Sequence, residues 1–279
     1  LRERIRDEAL YGADWLVRMQ DPDGFWYVTV FDGWSKDPAQ RELCSYRTQL
    51  GHKGDDYQAG WRQGGGMAAA ALSLASTLGD GPDHSSTTYL EAALRGFEHL
   101  CEHPDAYLDY GRQNLIDDTC ALLAGCELRA ALGEALPIGV VEECERRLGN
   151  LLARRRLSGD HVWLTVDGAA RSWFHASDEG LPGVALLRFA ELFPQSDGAA
   201  PARQLAAELV KAQLELGGSL ANPFGYPPHW IQLSEGQGRV QWFYPHDNES
   251  GYWWQGENAR IASLATLALM VAELLADPD

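Results

Sequence analysis

Apolar residues recur at helical spacing along this whole chain, and that periodicity limits the folds open to it. In residues 1–20, Ile5, Ala9, Leu10, Ala13, Leu16 and Val17 fall on one stripe. The run MAAAALSLASTLG marks a second helix over about 59–79, whose small side chains allow close helix approach. Ser86 or Thr87 can cap a third helix running to about 103. Residues 114–132 predict a fourth, with Asp117 and Asp118 in its first turn, where they complement the helix dipole. Pro137 opens a fifth, which ends on Arg154-Arg155-Arg156, a basic run suited to a helix C-terminus. Further helices are expected at about 178–193, 200–216 and 257–276, about eight in all. Extended segments, at Phe25–Phe31 and 161–166, are short and do not alternate with helices as a parallel sheet requires. The expected class is all-α, built from helical hairpins packed side by side, in a single domain over 1–279. The stretch GDGPDHSS reads as an interhelical loop rather than a domain boundary.

Charge and motifs narrow the function. Lys and Arg number 23 against 40 Asp and Glu, a net −17, which argues against a nucleic-acid partner because phosphate binding needs a basic face. No unbroken run of 18 apolar residues occurs, so no membrane partner is expected. Five cysteines, odd in number and without CxxC spacing, fit reduced thiols in a cytoplasmic protein. The opening LRERIRDEAL has neither an initiator Met nor an apolar signal segment, so these residues read as the interior or end of a longer polypeptide. Gly64-Gly65-Gly66 is not a phosphate loop, and GxSxG and HExxH are absent. His99 and His103 stand at i, i+4 as a metal-ligand pair would. Without a third ligand they read as a solvated helix face, and no metal or other cofactor is expected.

The aromatics point to a binding surface. Among 10 Trp, 10 Tyr and 8 Phe, many sit in stretches without helical period. Residues 32–58 read as a long loop, and long loops in compact domains are usually functional. Residues 217–256 hold Trp230, Trp242, Tyr252, Trp253 and Trp254 among prolines and glycines. Glu257 follows Tyr252-Trp253-Trp254-Gln255-Gly256 and opens the last helix. It reads either as a dipole partner or, dehydrated by the neighbouring rings, as a general acid. Glu249, in His246-Asp247-Asn248-Glu249, is the second candidate; its polar neighbours favour a solvated loop. Asp55 and Asp56 form a like-charge pair, either solvated or able to bind a cation. An acid and a second carboxylate on aromatic walls make up the layout of a glycoside hydrolase, and His229 with Trp230 fits such a wall.

Three stretches carry a family resemblance. ALYGADWLVRMQ followed by FWYVTVFDGW resembles a helix-then-strand segment of glycoside hydrolase family 9. GWRQGGGMAAAALSLAS is similar to that family's small-residue inner helix, and GYWWQGENARIASLATLAL to its final segment. The wording YRTQLGHKGDDYQAGWRQGGG and YWWQGENAR resembles the bacterial exo-β-glucosaminidase branch. The resemblance implies an (α/α)6 barrel of six helical hairpins and an inverting mechanism. It makes Glu257 the proton donor, with Glu249 as second choice, and places His229 where the family has a sugar-contacting His. The family's Asp-Ala-Gly-Asp base segment does not occur in these residues. Gly12-Ala13-Asp14-Trp15 only echoes it, and Asp14 is not assigned as the base. About eight helices against the family's twelve imply a toroid incomplete at its N-terminal side.

The expected activity is exo-release of glucosamine from the non-reducing end of chito-oligosaccharides. Asp55, Asp56 or Asp247 would face the substrate ammonium, an attraction of roughly 1–4 kcal/mol at about 4 Å. Tyr57, His229, Trp230, Tyr252, Trp253 and Trp254 complete the expected sugar contacts, with an oligosaccharide substrate as the expected partner. The alternatives are a cellodextrin-cleaving β-glucanase of the same family, a carbohydrate-binding remnant without catalysis, and an unrelated epimerase-like α/α barrel.

Overall fold

The computed structural model describes residues 1–44, 57–108, 112–168, 171–175, 177–232, 237–242 and 258–276. It is mostly helical, with eight α-helices among the described residues and only short strands. Its contacts divide it into two compact units, residues 1–144 and 145–279.

Unit 1 holds α1 (Arg2–Arg18), α2 (Gly66–Leu78), α3 (Ser86–Glu102), α4 (Leu115–Leu132) and the first part of α5 (Ile138–Ala153). The helix α2 packs against α1, α3 and α4. Its Ala68, Ala69, Ala70, Leu72 and Ala75 are buried, so short side chains bring the backbones together. Gly66 makes the same point: a Cβ there would meet Cys120 of α4 at 2.8 Å. The helix α4 is buried on nearly every side from Leu115 to Leu128, which explains why its sequence shows little amphipathic contrast. A capping box opens it. Asn114 accepts the Ile116 N–H at 3.0 Å, and Asp117 accepts the Asn114 N–H at 2.8 Å. The cap of α3 is Ser85, which accepts the Thr88 N–H at 3.2 Å; the expected caps Ser86 and Thr87 lie inside the helix. A π-helical turn over Trp61–Gly65 precedes α2, with Gly64 at φ 123°.

The segment expected to be one strand is two. β1 (Trp26–Tyr27) pairs antiparallel with β4 (Gln58–Ala59), while β2 (Thr29–Phe31) pairs with β3 (Glu42–Cys44). The stretch 32–58 is therefore not all loop, although its residues 45–56 lie outside the described residues.

Unit 2 holds β5 (Arg155–Ser158), β6 (His161–Leu164), α6 (Leu181–Leu192), α7 (Ala199–Gly218), β7 (His229–Ile231), β8 (Arg239–Gln241) and α8 (Asn258–Ala276). The helices α6, α7 and α8 pack on one another. Arg154–Arg156 does not finish a helix: Arg155 and Arg156 begin β5, which pairs with β6 across Gly159-Asp160, with Gly159 at φ 59°. Arg155 Nε meets Glu208 at 2.7 Å, and Arg154 donates to the Val166 carbonyl at 2.8 Å. By length and composition α8 could cross a membrane, a property hidden by its scattered polar residues. In unit 2 it buries Leu267 and Val271 and packs on α6 and α7.

Candidate functional site

In unit 2 three polar side chains meet where α8 begins. Glu179, just before α6, is clamped by Arg260 in the first turn of α8, with Nη1 to Oε2 at 2.8 Å. His229 on β7 brings its Nδ1 to 3.1 Å from the same carboxylate oxygen. Arg260 and His229 are fully buried and Glu179 nearly so. A buried guanidinium requires such partners. The second arm of Arg260 donates to the Pro227 carbonyl, and its guanidinium lies over the Tyr226 ring, 5.7 Å from the centroid. Gly180 presses on α8: its N–H donates to Ser263 Oγ at 3.1 Å, and a Cβ there would come within 2.3 Å of the Ser263 carbonyl. The start of α8 is thus tied to both the 179–180 corner and the 226–229 segment.

Beside this cluster lies a cavity of about 280 Å³. Trp163, Trp173 and Trp230 line it together with His161, Gln213 and Glu179. The His161 ring packs on Trp230 with centroids 4.9 Å apart, and burial lowers its pKa. Trp173 donates its indole N–H to the Glu179 carbonyl at 3.0 Å.

The sequence candidates fall differently. Trp230 lines the cavity. His229, the next residue on the strand, is sealed against Glu179 and Phe174 and supports the site from inside. Tyr57 belongs to unit 1, in an aromatic group with Phe25 at 6.0 Å and Tyr27 at 6.1 Å. Glu257, Glu249, Asp55, Asp56, Asp247, Tyr252, Trp253 and Trp254 lie outside the described residues. Helix α8 is described from Asn258, the residue after Glu257.

The same aromatic group corrects the reading of His99 as a solvated face. His99 is buried, and its Nε2 is 2.8 Å from the Tyr107 hydroxyl. Its ring stacks on His103 at 4.4 Å. Burial first, and the His103 charge second, lower its pKa. No group of three side chains suited to a metal stands among the described residues. Nearby, the Tyr27 hydroxyl donates to Asp21, which pushes its pKa up to about 12.

Three features carried no sequence signal of their own: the Glu179–Arg260 clamp, the His161–Trp163 wall, and the Arg62–Asp117 ion pair at 2.9 Å in unit 1. Each joins residues tens of positions apart or rests on a hairpin that the basic run disguised. No protein-family model matches the chain, and no curated protein matches it.

Proposed function

We propose that this chain is the greater part of an inverting exo-β-glycosidase that releases glucosamine from the non-reducing end of chito-oligosaccharides. The carrying observation is the anchored start of α8. Arg260, Glu179 and Ser263 hold the turn that immediately follows the Trp253-Trp254-Gln255-Gly256-Glu257 stretch, where the family resemblance puts the proton donor. A general acid must be held within a fraction of an ångström of the leaving oxygen, so a rigid helix start suits that task. An (α/α)6 toroid belongs to the same proposal, and the predominance of helix in both units supports it.

The test is hydrolysis of a glucosamine trimer and of cellotriose, with Glu257→Gln beside the parent. Release of glucosamine alone, abolished in the variant by several orders of magnitude in kcat with little change in binding, is the expected result. Release of glucose instead assigns the β-glucanase activity. Equal activity in Glu257→Gln rejects the acid assignment.

A second reading has its own observation. Among the described residues one carboxylate lines the cavity, Glu179, and Arg260 already engages it; the Asp-Ala-Gly-Asp base segment does not occur in these residues. That favours sugar binding without hydrolysis, which calorimetry with the trimer would register as heat of binding and no product.

A further inference from the structure

We infer that His175 is a pH-operated latch: its neutral ring closes the turn at 177–180 before α6, and protonation releases that turn together with the start of α8 tied to it. Two main-chain donors end on one ring nitrogen. Nδ1 accepts the Ser177 N–H at 3.2 Å and the Asp178 N–H at 3.0 Å. A ring nitrogen that accepts carries no proton, so the structure assigns the neutral ring with its hydrogen on Nε2. An imidazolium donates from both nitrogens and accepts nothing, so charging the ring must break both bonds.

The turn is a junction within unit 2. Trp173 donates its indole N–H to the Glu179 carbonyl at 3.0 Å, and the Leu181 N–H donates to the Asp178 carbonyl at 3.0 Å. Glu179 holds Arg260, and the Gly180 N–H donates to Ser263 Oγ, so this turn carries two ties to α8.

The released state has partners ready. Asp178 Oδ2 stands 3.4 Å from Nδ1, and in the neutral state it accepts the Ser177 hydroxyl at 2.9 Å. A protonated Nδ1 turns its N–H to that carboxylate, while the Ser177 and Asp178 amides, on half-buried residues, pass to water. A switch needs two such arrangements. Burial pushes the His175 pKa below its ordinary value, and the two carboxylates that face the ring, Asp178 and Glu179, pull against that. Arg260 weakens the pull of Glu179 by pairing with it. The ring stacks on Trp173 with centroids 5.2 Å apart, and its side chain is 37% exposed, so a proton reaches it from solvent.

The test is NMR of the whole chain labelled with nitrogen-15, from about pH 8 down to about pH 5. At the upper end the His175 Nδ1 signal should be that of a nitrogen without a proton. As the ring titrates, with a midpoint below about 6.5, the amide protons of Ser177, Asp178 and Gly180 should move upfield together. His175→Asn offers an oxygen to the same two N–H groups, as asparagine does in turns, and gains no charge, so these amides should stay fixed. His175→Phe keeps a ring against Trp173 without the acceptor and should show the released positions at every pH. Far-UV circular dichroism checks that each variant folds; if neither does, the parent spectra decide. A proton on Nδ1 at the upper end, any of the three amides holding still while the ring titrates, or an Asn variant that moves like the parent would overturn the inference. It stands apart from the glycosidase reading, since no readout involves a sugar.

Discussion

Asp14 shows how much a single buried carboxylate can organise. It sits on the inner face of α1, 1% exposed, and accepts the Tyr89 hydroxyl at 2.5 Å. It also accepts the backbone N–H groups of Asp83 at 3.0 Å and His84 at 3.1 Å. Burial and that carboxylate raise the Tyr89 pKa far above its ordinary value, so the hydroxyl stays a donor. Asp14 is therefore the tie that fixes the α2–α3 loop onto α1, a structural duty quite unlike the catalytic base its neighbours Gly12-Ala13 superficially suggest. Asp14→Asn replaces one acceptor oxygen with a donor facing backbone donors. It should lower stability by about 2 kcal/mol, read as a reduced urea midpoint with unchanged slope. Gly96 is the second such residue: a Cβ there would lie 2.0 Å from the Trp26 ring. Gly96→Ala should cost about 1–3 kcal/mol in the same assay, more than helix propensity predicts, because Ala otherwise favours a helix. In the sequence Asp14 stands out only as an echo of the base segment; its partner Tyr89 is 75 residues away, and no spacing rule connects the two.

Among elements, the helices were the most legible part of the chain. The starts expected at 114 and after Pro137 are kept through local preferences, whereas the small-residue run falls inside α2, which begins at Gly66 and not near 59. The strands were less so, because two-stranded ribbons of two to four residues carry too little alternation to show a period. Arg154–Arg156 misleads for a physical reason. Long basic stems tolerate an exposed strand as readily as a helix end, and the Gly159 turn with the Glu208 partner decides between them. The Glu179–Arg260 clamp belongs to the joint between α6 and α8, where the partners are 81 residues apart. Arg260→Met leaves Glu179 buried beside fewer partners and should cost about 3–5 kcal/mol. Adding Glu179→Met should recover part of that loss. A double variant as unstable as the sum of the singles would show that the pair is not coupled.

For the molecule as a whole, the class is legible as all-α, while the expected acid and ammonium-binding carboxylates lie outside the described residues and keep their sequence argument only. A property of the whole chain follows from three histidines, one buried and two partly buried. Burial lowers the pKa of His99, His161 and His175. Below the unfolded value of about 6.5, the unfolded chain takes up protons that the folded one resists, so stability should fall as pH drops from about 7.5 to about 5.5. Glu208, its pKa lowered first by its bond from Arg155, adds a loss of the same sign at lower pH, beneath the ordinary carboxylate range. Urea midpoints across this interval measure the slope. His161→Phe, which keeps a ring against Trp230, should make it shallower, and an unchanged slope would remove His161 from the account. The most direct test of the proposed activity is proton NMR of the glucosamine trimer during incubation with the protein expressed from its complete reading frame. The account predicts single glucosamine units appearing first as the α-anomer and their disappearance in Glu257→Gln; a β-anomer product, or no glucosamine at all, would contradict it.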